Sequence, residues 1–140
     1  GGVVTPQERC AAGRRNRTAG ARAERELARL LTDAGYPCVK ASRSGYHKPI
    51  DLAVTLHDGS TRSIEVKSRK AWPSWIVALP SAWAIGGYVY DRRHVAMLDA
   101  LRGDADWLAL RVSGRPVRWV ILTRWDDGAG HVHYDLDRVL

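Results

Sequence analysis

Cysteine occurs only at positions 10 and 38, no segment repeats, and no low-complexity tract interrupts the chain. Two unpatterned cysteines supply neither a disulfide framework nor a zinc site, so each is expected to be a plain free thiol in a reducing cytosol. No run of about 18 apolar residues offers a membrane span. No charged-then-apolar stretch opens the sequence, and Gly1-Gly2 reads as a processed end expected to lie outside the fold. Acidic residues are the scarcer sign, 15 against 22 basic ones, giving a formal charge of +7 and a pI near 9.9. That balance favours a polyanionic partner, with nucleic acid first. At 140 residues and 45% hydrophobic, the chain suits one domain over 18–140, burying about two thirds of its unfolded surface.

Residues 1–17 hold Arg9, Arg14, Arg15 and Arg17 with little apolar content, the composition of a flexible basic arm able to lie along phosphates. From 18 to 34, the stripe Ala23, Leu27, Leu30, Leu31 and Ala34 has helical spacing, with Thr18 as N-cap and Gly35 as stop. Arg22, Arg25 and Arg29 fall on the outer face of this helix. Glu24 and Glu26 flank the apolar stripe on opposite sides, and periodicity does not choose between them.

Three strand-like runs follow at 36–42, 50–56 and 60–68. A two-residue turn at Asp58-Gly59 would pair Leu52 with Glu65 and mix apolar with charged side chains on both faces. A three-residue loop, His57-Asp58-Gly59 with Gly59 left-handed, instead pairs Leu52 with Ile64 and Asp51 with Glu65. One face is then apolar, and the other carries Asp51, Glu65 and Lys67. Residues 71–90 hold two prolines, a glycine pair and Trp72, Trp75 and Trp83 without clean periodicity; these tryptophans suit a core or an interface. Beyond them the pattern gives a helix over 91–101, strands at 107–112 and 117–123, and an edge strand in HVHYDL. The expected fold is α/β, a mixed and mainly antiparallel sheet flanked by helices.

Hard oxygen ligands clustered across a ladder suit Mg²⁺, which takes carboxylates plus waters and can assist attack on a phosphodiester. Lys67 adds a compact cation able to hold the attacking water or offset the growing charge. The segments GARAERELARLLTDAGYPCVK, PIDLAV and IEVK resemble the archaeal-type Holliday junction resolvases of the PD-(D/E)xK nuclease superfamily, from about Gly20 to Lys67 with one short insertion. The resemblance implies a restriction-endonuclease-like core. It also implies Glu24 rather than Glu26 as the catalytic glutamate, beside Asp51, Glu65 and Lys67. Asp51, Glu65 and the Val66 carbonyl would bind Mg²⁺ (Mn²⁺ substituting), with Glu24 acting through water. Arg25, Lys40 and Ser44 match further family positions, and they join Arg22, Arg29 and Arg43 as expected DNA contacts.

The expectation is therefore a cytoplasmic, metal-dependent DNA endonuclease that resolves four-way junctions as a homodimer. Two alternatives stay open at this point: a restriction-like or repair nuclease acting on duplex or flap DNA, and a non-catalytic DNA-binding module in which Glu65 and Lys67 merely pair.

Overall fold

The computed structural model describes residues 6–41, 50–71, 88–89, 92–130 and 132–137. The first helix, α1 (Pro6–Asp33), starts well before the expected cap at Thr18, which lies in the helix interior. Residues 6–17, expected as an arm, continue the helix. Proline at the first helical position forgoes no hydrogen bond, and Gln7, Glu8, Arg9, Ala11 and Ala12 are favourable or tolerable helix residues. Low apolar content says that a segment lacks a core-facing stripe, not that it avoids helix. At the other end, Gly35 N–H bonds the Thr32 carbonyl at 3.0 Å and Tyr36 N–H bonds the Leu31 carbonyl at 2.8 Å. This paired closure needs the left-handed Gly35 (φ 96°), the stop expected from sequence.

Six strands follow a first, short one: β1 (Cys38–Lys40), β2 (Leu52–Thr55), β3 (Thr61–Arg69), β4 (Tyr88–Val89), β5 (Trp107–Val112), β6 (Arg118–Asp126) and β7 (Val132–Asp137). They form one sheet in the order β1-β2-β3-β5-β6-β7-β4. Among the described strands only β3 and β5 run parallel, and a further described helix, α2 (Arg92–Arg102), lies in the connection between them. The run HVHYDL, expected at an edge, lies inside the sheet because β4 pairs along its outer side. Trp72, Trp75 and Trp83 lie outside the described residues.

Two cores cover the two faces of the sheet. Ala23, Leu27 and Leu31 of α1 pack with Leu52, Val54, Ile64, Ala109, Trp119 and Ile121. Leu98 of α2 packs with Leu108, Leu110, Val120, Leu122 and Tyr134. Strands β5 and β6 are thus buried on both faces, which explains why their sequences run apolar without alternation. The α2 layer is tied down by polar contacts. The Tyr134 hydroxyl donates to Asp99 at 2.6 Å and accepts from Arg102 Nε at 2.7 Å, while Arg124 Nε bonds Asp99 at 3.2 Å. Burial and the bond to Asp99 push the Tyr134 hydroxyl up to about 12, so it remains a donor.

The parallel pair is fixed at its start by a reciprocal contact. Ser63 N–H and Oγ donate to Asp106 at 2.8 and 3.2 Å, and Asp106 N–H donates back to Ser63 Oγ at 2.8 Å. Ser63 is only 2% exposed, so water does not replace a lost partner. Asp106→Ala is therefore expected to lower unfolding free energy by about 1–3 kcal/mol, the cost of leaving buried donors unsatisfied. Urea unfolding with an unchanged slope checks it; a loss below about 0.5 kcal/mol would show the contact to be incidental.

Candidate active site

The hairpin that carries the acids folds as its pattern requires. Leu56 N–H bonds the Ser60 carbonyl and Gly59 N–H bonds the Leu56 carbonyl, enclosing the three-residue loop His57-Asp58-Gly59, with Gly59 at φ 85°. The Asp58 carboxylate accepts from Ser60 N–H at 2.9 Å and from Ser60 Oγ, steadying the turn. The resulting register pairs Leu52 with Ile64, and continuing it by one step sets Asp51 opposite Glu65. Ile64 and Val66 enter the core under α1, so Glu65 and Lys67 alternate to the other side of β3.

Asp51 stands just ahead of β2 and is oriented by main chain: Val66 N–H donates to its Oδ2 at 2.8 Å. Sequence reasoning noticed Val66 only as a family carbonyl ligand and missed this donor. No side-chain pattern reports it, because any residue but proline offers the same N–H. Lys67 Nζ lies 3.5 Å from Glu65 Oε1, and its side chain is 38% exposed. Glu24 and Glu65 both interact electrostatically with Asp51, so carboxylates from α1, the β2 entry and β3 lie near one another. Burial first, then the Asp51 charge, lifts the Glu24 carboxyl to about 7, against the pull of Lys40. Burial and Asp51 also raise Glu65, opposed by Lys67.

The two glutamates that periodicity left undecided have separate tasks. Glu24 joins the acids. Glu26 accepts from Arg111 Nε at 2.9 Å and from Trp119 Nε1 at 3.2 Å, fastening α1 to β5 and β6. Arg22, Arg25 and Arg29 are exposed on α1, and Lys40 is exposed at the end of β1. Arg43 and Ser44 lie outside the described residues. Cys38 is buried, and burial pushes its thiol up to about 11, as befits an inert core residue.

Crowded carboxylates with raised proton affinity call for a cation or a proton. Among the described residues, no three His, Cys, Asp or Glu side chains are grouped closely enough to hold a metal ion by themselves. The donors are instead all oxygen and few, which is the set Mg²⁺ uses when water completes its shell. Ionisation of these crowded acids destabilises the fold. The folded state holds a proton on Glu24 up to about pH 7, whereas an unfolded glutamate releases it near the usual carboxylate value. Stability from this group is thus greatest below the unfolded value and falls as pH rises to about 7. Glu24→Gln should raise the melting temperature in chelator at pH 8 by about 2–4 °C, the shift of roughly 1 kcal/mol after discounting for solvent screening. Near pH 4 the difference should vanish; an equal gain at both pH values would assign the effect to packing.

The family model of the archaeal Holliday junction resolvases (Hjc) matches residues 15–77. No curated protein matches the chain. The matched stretch contains α1 from residue 15 onward, the hairpin and the acids with Lys67, set in an α/β fold with a mixed, mainly antiparallel sheet. No described helix is long and apolar enough to cross a membrane. Residues 15–77 are thus similar to the archaeal Holliday junction resolvase family, nucleases of the PD-(D/E)xK superfamily, and the α/β fold is consistent with a restriction-endonuclease-like core.

Proposed function

We propose that the protein hydrolyses DNA phosphodiester bonds with Mg²⁺, Mn²⁺ substituting, and that a homodimer of it cuts four-way junctions. The convergence of Glu24, Asp51 and Glu65 with Lys67 at the surface of a basic chain carries this reading. A module that only bound DNA would gain nothing from clustered carboxylates where phosphate must approach. Asp51, Glu65 and the Val66 carbonyl would hold the ion, with Glu24 in its water shell; it would supply Lewis acidity to water and phosphate.

The chain's own groups do the remaining work. Val66 N–H holds Asp51 in place, so the carboxylate is set before any ligand arrives. Glu65 tethers the Lys67 ammonium, which orients the attacking water or offsets negative charge growing on the phosphate. Lys40, exposed and felt electrostatically by Glu24, takes a phosphate of the cut strand together with Arg25, and Arg43 and Ser44 extend that contact. One active site cuts one strand, whereas resolution of a junction needs two cuts related by symmetry, hence the two-fold dimer. The tryptophan-rich segment 71–90 or α2, where Met97 is exposed, would supply its apolar contact.

Asp51→Asn should lower cleavage at least about 10³-fold, since several kcal/mol of charge stabilisation are lost, while DNA binding is kept or improved. The same variant should lose the rise in melting temperature that Mg²⁺ gives the parent, a readout independent of turnover. A variant that cuts at the parental rate would sink the assignment. Light scattering should give twice the 15.6 kDa chain mass. A four-way junction should be cut in preference to linear duplex of the same arm sequences, and a monomer that cuts both alike would keep the nuclease and remove the resolvase.

A further inference from the structure

The outer face of α1 carries an open hollow of about 320 Å³ lined by Arg22, Arg25, Glu26 and Arg29. Its lining is charged rather than apolar, which suits phosphates and not a small apolar ligand. The one acid in it is already committed, because both Glu26 oxygens are bonded, to Arg111 and Trp119. Glu26 therefore does not neutralise its neighbours. Among the described residues, the side chains of Arg22 and Arg29 make no hydrogen bond or ion pair, and both are exposed. They stand about 10 Å apart along the helix axis, far enough to reach separate phosphates.

Position around the helix matters more than charge. At about 100° per residue, Arg22 and Arg29 lie about 160° and 140° from Glu24, with the body of α1, about 10–12 Å across, between them. A phosphate held by Arg22 and Arg29 is therefore not the one beside Asp51 and Glu65. We infer that Arg22 and Arg29 bind backbone phosphates of a DNA strand other than the strand being cut. This rests on the nuclease reading above and adds where the rest of the substrate lies. Two sources share that chemistry: the opposite strand of the same duplex, and a second arm of a junction.

The test is salt-dependent binding in a cleavage-silent Asp51→Asn background, in chelator, comparing the parent with Arg22→Gln/Arg29→Gln on a four-way junction, a linear duplex and a single strand. Each lost phosphate contact should reduce the slope of log K against log salt by about 0.9, so the double variant should lose about 1.8 on the junction. An equal loss on the duplex assigns the contact to the opposite strand of one arm, and a loss confined to the junction assigns it to a second arm. On the single strand the slope should not change; an equal loss there would put both arginines on the cut strand and overturn the inference. No change on any substrate overturns it as well. Arg22→Lys/Arg29→Lys keeps the charge and should restore the slope, which separates phosphate binding from damage to the fold. A background protein that binds no DNA would overturn both this inference and the nuclease reading, whereas parental cleavage with Mg²⁺ and unaltered slopes would overturn this inference alone.

Discussion

A one-residue slip between β2 and β3 would turn every side chain of one strand to the opposite face, so Asp51 and Glu65 stay together only while Leu52 faces Ile64. That register is set at the far end of the hairpin, where Gly59 takes a left-handed conformation closed to most residues at little cost. It is reinforced by burial, since Leu52, Val54 and Ile64 are almost fully covered by α1. Core packing and acid placement are consequently one constraint. A protein that buries this apolar face has no way to avoid presenting its acids on the other.

Presenting them together is unfavourable without a counter-charge. Glu24 and Glu65 hold protons more tightly because burial and the Asp51 charge oppose ionisation, and Lys67 and Lys40 offset only part of this. Such crowding raises the proton affinity of the acids until a counter-charge offsets it. Helix α1 has two edges with opposite duties. Its Glu24 edge meets the acids, whereas its Glu26 edge is pinned to β5 and β6 through Arg111 and Trp119. The pinned edge gives the Glu24 edge a fixed position.

The later strands act as the platform. Pairing of β3 with β5 in parallel, closed at its start by Ser63 and Asp106, extends the short hairpin into a sheet wide enough to bury a second face under α2. A hairpin alone is marginal in water; the wider sheet makes the acid-bearing strand part of the core.

Much of this was legible in the residues. The stripe through Ala23, Leu27 and Leu31 marks the buried face of α1, and the alternation in IEVK together with Asp58-Gly59 decides the hairpin register, because apolar burial has period two in a strand. The start of α1 at Pro6 was not legible, since charged helix formers carry no stripe to betray their conformation. Nor was the internal place of β7, which depends on a pairing with β4 between segments distant in sequence. The sequence by itself determined which residue types stand two apart on one strand face and which edges of α1 are acidic. Tertiary structure alone decided that Glu24 meets Asp51 while Glu26 meets Arg111, and that Val66 N–H orients Asp51, because these contacts join segments whose approach depends on how helix and sheet dock.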